Sequence, residues 1–341
     1  MRAVQRYSFT QLSKCTEICC MQFLLFPLVL IFTSFAQAQQ IGKDSIDCSI
    51  PLQGGTLSGT LFTPHGVRKP PVVLIIAGSG PTDRDGNSRL LKGKNNSLLQ
   101  LADSLSKYGI ASLRYDKKGV GKSQVKGLRE EDMRFEDGAN DALAWIAWLR
   151  KSGYKKIYIA GHSEGSLIGL VAAQQTKLKG FISLAGAGRP IDQVLREQFK
   201  EGGGPDSLVL LANRYLDTLL TGQRIAKPNP FLFSIFRPSV QPYIISWLRY
   251  NPGNLLQKLR CPVLIVQGNK DIQVQVADAL LLQKIKPDAQ LAIIENMNHV
   301  FKLVSSNNRI DNAKAYSDPS LPIASSMVQE FIKFIGPIRI L

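Results

Sequence analysis

"YIAGHSEGSLIGL" occupies residues 158–170, and its centre, Gly161-His162-Ser163-Glu164-Gly165, decides how the rest of the chain is read. A serine with glycine two places away on either side suits a sharp strand-to-helix turn. There the nucleophile's backbone is strained and its hydroxyl points off the strand tip, while any side chain two residues away would strike the neighbouring strand or helix. Residues this common do not establish such a turn alone; it needs a strand before it and a helix after it. Both are expected here. Residues 156–160 end an apolar, strand-like run, and 166–175 have helical spacing, with Gly169, Ala172 and Ala173 forming a small face suited to packing.

The same alternation extends in both directions. "PVVLIIAGSG" at 71–80 is a continuous apolar run ending in glycines, the pattern of a strand buried on both faces of a parallel sheet. Similar runs recur at 110–115, 157–160, 180–185, 262–267 and 290–295, with helix-period segments at 97–108, 135–150, 166–175 and 274–285. This order predicts an α/β fold with a mostly parallel, doubly wound sheet. An antiparallel hairpin is expected over 45–64 about Gly54-Gly55, and a closing helix over 325–335. The stretch 189–260 breaks the alternation: it has helical spacing at 194–199 and 208–220, then Pro228, Pro230, Pro238 and Pro242, which predicts an inserted helical cap. The expected organisation is a leader at 1–38, core at 39–188, cap at 189–260 and the rest of the core at 261–341.

The leader reading rests on Arg2, Arg6 and Lys14 before the apolar run 23–35, which ends in Ala36-Gln37-Ala38, a small-residue cleavage signal. A mature chain starting at Gln39, exported to the periplasm or beyond, is expected. A stable membrane anchor is not, because the run contains Pro27 and falls short of the ~20 apolar residues that span a bilayer. Met21 is an alternative start. Cys15, Cys19 and Cys20 would leave with the leader, so only Cys48 and Cys261 remain, and two cysteines do not make a disulfide framework; both are expected as free thiols. The net charge of +16 becomes +14 without Arg2, Arg6, Lys14 and Glu17. The basic residues are scattered rather than clustered with aromatics, which argues against nucleic-acid binding and for a solvated basic surface.

A serine nucleophile needs a base, and after residue 38 the chain holds only His65, His162 and His299. His65 lies in a Pro-His-Gly turn before the core. His162 is adjacent to Ser163, where the turn sends its side chain away from the hydroxyl. His299, in "ENMNHVFK" just past the run 290–295, emerges at the same sheet edge as Ser163 if the strands are parallel. The carboxylate that orients it is expected after the preceding strand, where Asp271 in "VLIVQGNKDIQV" fits; Asp278, inside a helix-period segment, is the alternative. Acyl transfer also needs two backbone N–H donors for the oxyanion. Glu164, directly after the nucleophile, and Ser79, in the loop after the first buried strand, are the candidates. Asp83-Arg84-Asp85-Gly86-Asn87 has the alternating carboxylates of a calcium loop but lacks its later ligands, so a self-bonded turn is expected. "RYDKKGVGKS" at 114–123 lacks the spacing of a phosphate loop.

Taken together, "LIIAGSGPTDRDGN", "LRYDKKGVGKS", "IAGHSEGS", "VLIVQGNKD" and "NMNHVFK" resemble the α/β-hydrolase superfamily, within it the serine aminopeptidase-like branch that includes exported esterases of the esterase D type. The resemblance covers almost all of the chain after the leader. It implies an α/β-hydrolase fold with a helical cap, a cofactor-free serine mechanism, a small-molecule acyl ester substrate, Ser163, Asp271 and His299 as the triad, and Ser79 and Glu164 at the oxyanion hole. The departure is Ala77, where many relatives carry the histidine of a His-Gly pair. Two other readings compete with the esterase: an aminopeptidase using the same triad, and a non-catalytic binding protein on this scaffold. The region 189–260 holds ten Lys or Arg against five Asp or Glu, which makes it a poor trap for a substrate ammonium.

Overall fold

The computed structural model describes residues 42–90, 92–305 and 308–338. The expected leader, its cleavage point and the alternative start at Met21 lie outside these residues. Eight strands form one sheet: β1 (Lys43–Leu52), β2 (Gly55–Pro64), β3 (Val72–Ile76), β4 (Ala111–Tyr115), β5 (Ile157–His162), β6 (Gly180–Leu184), β7 (Val263–Gly268) and β8 (Gln290–Ile294). Their spatial order is β1-β2-β4-β3-β5-β6-β7-β8. The hairpin β1–β2 and the β2–β4 pair are antiparallel, and every pair from β4 to β8 is parallel.

The continuous apolar runs become central strands because helices cover both faces. Alternate residues of β3 go to opposite layers. Val72, Leu74 and Ile76 pack with α2 (Phe135–Lys151), α3 (Glu164–Ala173) and α9 (Val276–Ile285), while Val73 and Ile75 pack with α1 (Ser97–Ser106) and α11 (Ser325–Ile335). This is the two-sided burial that a period-2 strand under two helical layers requires. A short α10 (Arg309–Lys314) precedes α11.

Between β6 and β7 lie α4 (Ile191–Glu201), α5 (Asp206–Leu220), α6 (Phe233–Phe236), α7 (Gln241–Trp247) and α8 (Pro252–Gln257). They bury an apolar cluster of their own, Ala212, Leu216, Leu219, Leu232, Phe236 and Ile244. Pro242 and Pro252 sit in the first turns of α7 and α8, where the missing N–H has no helical acceptor to lose.

The two elements that flank Ser163 extend closer to it than the sequence expectation. β5 runs on to His162 rather than stopping at residue 160, because Gly161 and His162 continue the ladder opposite Ser183 and Leu184. The helix after the turn starts at Glu164, before the apolar spacing of 166–175 sets in. Among the described residues no helix is long and apolar enough to cross a membrane.

Candidate active site

Ser163 stands between β5 and α3 with φ 55° and ψ −120°, a region that costs a non-glycine residue of order 1–3 kcal/mol. The surroundings enforce it. A Cβ on Gly161 would lie 2.2 Å from the Gly165 carbonyl oxygen, and one on Gly165 would lie 2.4 Å from the carbonyl oxygen of Ile76 and 2.7 Å from that of Ala77. Both flanking glycines are therefore demanded by backbone atoms that cannot step aside. The turn is locked from a third side by the Ser163 N–H, which donates to the Leu184 carbonyl at 2.8 Å.

The parallel strands bring the other candidates to the same edge. Asp271 follows β7, and His299 follows β8. The His299 ring donates from Nδ1 to Asp271 Oδ2 at 2.7 Å, and both side chains are almost fully buried. The remaining lone pairs of the carboxylate are also used. Oδ1 accepts the backbone N–H groups of Gln273 at 2.8 Å and Val274 at 3.0 Å, and Oδ2 accepts Gln267 Nε2 at 2.9 Å. Burial alone would raise the Asp271 carboxyl, but the charge and hydrogen bond of His299 and these N–H donors outweigh it and hold the group below the usual range. An ionised carboxylate on Nδ1 fixes the tautomer that leaves Nε2 as acceptor. Neither His299 Nε2 nor Ser163 Oγ has a hydrogen-bond partner among the described residues.

The alternative acid is engaged elsewhere. Asp278 is fully buried in α9 and accepts the N–H groups of Gly188 and Arg189 together with the Arg189 guanidinium, Nη2 lying 2.7 Å from Oδ2. It anchors the start of the inserted helices. His65 pairs on the surface with Asp44 at 2.9 Å. His162 makes no hydrogen bond to the Ser163 hydroxyl among the described residues, and it acquires a role that the sequence did not reveal. Its Nε2–H donates to the His299 carbonyl at 2.9 Å, and its ring packs on those of His299 and Phe301 with centroids 4.7 and 4.8 Å away. Burial, reinforced by the neighbouring His299, lowers His162 to about 3, so it is a neutral strut.

The two residues expected to supply oxyanion donors lie beside the turn, where a Cβ on Gly78 would stand 3.3 Å from the Ser163 Cβ. Glu164 opens α3, and Ser79 lies in the loop after β3; neither N–H has an acceptor among the described residues. That loop is held from behind. Asp83 Oδ1 accepts the N–H groups of Asp85 and Asn87, both at 2.9 Å, which is the self-bonded turn expected of this segment. Arg84 is buried against Asp116, two bonds reaching the two carboxylate oxygens at 2.9 and 2.7 Å.

Lys117 and Tyr243 are residues that sequence reasoning missed. The ammonium of Lys117 donates to Glu164 Oε2 at 2.8 Å, to the Gly78 carbonyl at 2.5 Å and to the Gly80 carbonyl at 3.4 Å. The Tyr243 hydroxyl, from α7, donates to Glu164 Oε1 at 2.7 Å. Burial, with the adjacent Glu164 charge, raises the phenol well above its ordinary value, so it stays a donor. Cys48 and Cys261 are free and half-buried; burial pushes the Cys48 thiol up to about 11 and raises Cys261 as well, so neither is an activated nucleophile.

Residues 70–305 match the alpha/beta hydrolase fold family. The chain belongs to that family. It is also similar to Esterase EstD of Thermotoga maritima, 25% identical over 259 residues; the match takes in 72% of this chain but only 58% of EstD. Solved structures that share the fold include the following two. Est1E from Butyrivibrio proteoclasticus, with ferulic acid bound, is 21% identical with a TM-score of 0.53, covering 83% of this chain and 99% of that one. The Pyrococcus furiosus esterase Pf2001 is 17% identical with a TM-score of 0.54, covering 87% and 92%.

Proposed function

We propose that this alpha/beta hydrolase is a serine carboxylesterase acting on short-chain acyl esters through an acyl-Ser163 intermediate. The observation that carries the reading is the buried Asp271–His299 pair, 2.7 Å apart, at the sheet edge where Ser163 is held at positive φ. Its likeness to a protein named as an esterase supports the choice of reaction.

In the proposed cycle His299 Nε2 takes the Ser163 proton as Oγ adds to the ester carbonyl carbon. The carbonyl electron pair moves onto oxygen, where the N–H groups of Ser79 and Glu164 receive it. Collapse expels the alcohol, which takes the proton from His299. Water, deprotonated by the same nitrogen, then releases the acid and restores Ser163. Asp271 stays ionised throughout and stabilises the imidazolium formed in each half-reaction.

The inserted helices 189–260 serve as the cap that shapes the substrate site. Their carboxylates are mostly committed within the protein: Glu197 pairs with Arg189, and Asp192 and Asp217 with Arg196. An ammonium group on a substrate would find little there to bind it, so esters are the expected substrates and aminoacyl amides are not. Residues 1–38 are proposed to direct export, with the enzyme working outside the cytoplasm. The test is kcat/KM for p-nitrophenyl acetate and butyrate beside alanine and proline p-nitroanilides. The esters should be strongly preferred; preference for the anilides would transfer the site to an aminopeptidase, and no turnover of either would favour a binding protein.

A further inference from the structure

Two residues past β4, the Lys117 ammonium touches both segments that carry the oxyanion donors. Its contacts are the carbonyls of Gly78 and Gly80 in the loop after β3 and the carboxylate of Glu164 at the start of α3. We infer that Lys117 is a positioning residue of the oxyanion hole, an inference that rests on the serine-hydrolase reading above.

The argument begins with one peptide unit. The Gly78 C=O and the Ser79 N–H are opposite ends of the same trans, planar amide, so fixing the oxygen fixes where the hydrogen points. Lys117 holds that oxygen at 2.5 Å, which turns the Ser79 N–H to the side away from the ammonium. Without such a partner a glycine-flanked loop could rotate the peptide and withdraw the donor. The second donor is the N–H of Glu164 itself. Its side chain, 2% exposed, is pinned by Lys117 on one oxygen and by Tyr243 on the other. One ammonium thus ties the two donor-bearing residues to each other, and Tyr243 extends the tie to α7 of the inserted helices.

Charge gives Lys117 a second duty. A buried carboxylate on the residue that must bind an oxyanion would oppose the negative charge developing there, and in a poorly solvated setting that repulsion is not screened away. Lys117 neutralises it at contact distance. Removing the lysine would therefore loosen one donor and expose the developing oxyanion to an unpaired Glu164. Lys117 touches no reacting atom; it acts through the loop and through Glu164.

The experiment compares the wild-type protein with Lys117→Met, alone and in a Glu164→Gln background. The readouts are kcat and KM for p-nitrophenyl butyrate and the affinity for an alkyl trifluoromethyl ketone, whose hemiketal with Ser163 carries a full oxyanion. Losing one oxyanion donor typically costs about 10²–10³ in kcat. Lys117→Met should lower kcat by about 10²-fold with KM within a few-fold, and weaken the ketone by a matching factor. The loss should be several-fold smaller in the Glu164→Gln background. Unchanged kcat, a change confined to KM, or a kcat loss without loss of ketone affinity would overturn the inference. If Lys117→Met fails to fold by thermal unfolding, Lys117→Arg serves, since its altered reach must shift the loop: kcat and ketone affinity must again fall together, and no joint fall overturns the inference. A wild-type protein inactive on esters and unlabelled at Ser163 would defeat the parent reading and this inference with it, an outcome distinct from active wild type with indifferent Lys117 variants.

Discussion

Asp271→Asn should abolish most turnover while leaving a folded protein, and the structure says why the amide cannot imitate the acid. The carboxylate accepts four hydrogen bonds: Oδ1 from the N–H groups of Gln273 and Val274, Oδ2 from His299 Nδ1 and Gln267 Nε2. An asparagine must put its NH2 at one of these two positions, facing donors either way. Against Gln273 and Val274 the conflict is with backbone that cannot re-protonate. At the Oδ2 position the Gln267 bond is lost, but the conflict with His299 is relieved by a tautomer change, with Nδ1 accepting and Nε2 carrying the proton. The amide therefore drives the imidazole into the form that cannot take the Ser163 proton, and the loss also removes the charge that stabilises the imidazolium. The same substitution in the well-studied triad lowers kcat by about 10⁴, and 10³–10⁴ is the expectation here. Stability should fall by about 2–3 kcal/mol for the disrupted charge-assisted bonds. The assay is kcat on p-nitrophenyl butyrate, with denaturant unfolding as the check on folding. Asp278→Asn is the control: it loosens the Arg189 anchor and should cost stability with little change in kcat. A folded Asp271→Asn enzyme within tenfold of wild type, or a larger kcat loss in Asp278→Asn, would refute the reasoning.

Gly165→Ala should be strongly destabilising or insoluble, because its Cβ would stand 2.4 Å from the Ile76 carbonyl oxygen; a thermal melt close to wild type would contradict this account of the turn. His162→Gln isolates a pH effect. His162 titrates at about 3 when folded against 6.5 otherwise, so the unfolded chain binds the extra proton and stability is lost as pH falls below 6.5, by about 1.4 kcal/mol per unit. Between pH 7 and 5 the wild type should thus lose about 2 kcal/mol relative to the variant. Asp141, which burial raises to about 6 despite its Lys118 partner, has the opposite slope below pH 6 but is common to both proteins and cancels in the comparison. Parallel stability curves for the two would show that His162 is not buried neutral.

The fold was legible because its strands carry their burial in their composition: 71–76, 110–115 and 180–184 have no polar face to give to solvent except where Ser112, Arg114 and Ser183 are buried in the structure. The approach of Asp271 to His299 was legible for a related reason. Parallel strands must deliver their following residues to one edge, and only Asp271, not the helical Asp278, lies on such a loop. Lys117 escaped because its partners are 39 and 47 residues away, and nothing in "RYDKKGVGKS" separates a lysine reaching into a site from one reaching into water. Tyr243 escaped more thoroughly, 79 residues from Glu164 on a short helix whose placement follows from the packing of the inserted segment rather than from its own periodicity. The strand end at His162 was missed because Gly161 and His162 have little strand propensity, and only the ladder to β6 carries them into the sheet.

The central claim is that Ser163 becomes acylated. Mixing the enzyme with excess p-nitrophenyl butyrate, quenching in acid within the first turnovers and mapping peptides by mass spectrometry tests it directly. The account predicts a burst of p-nitrophenol and one butyryl group on the peptide containing Ser163, absent in Ser163→Ala. Steady hydrolysis by Ser163→Ala at the wild-type rate, or a butyryl group carried by another residue, would contradict it.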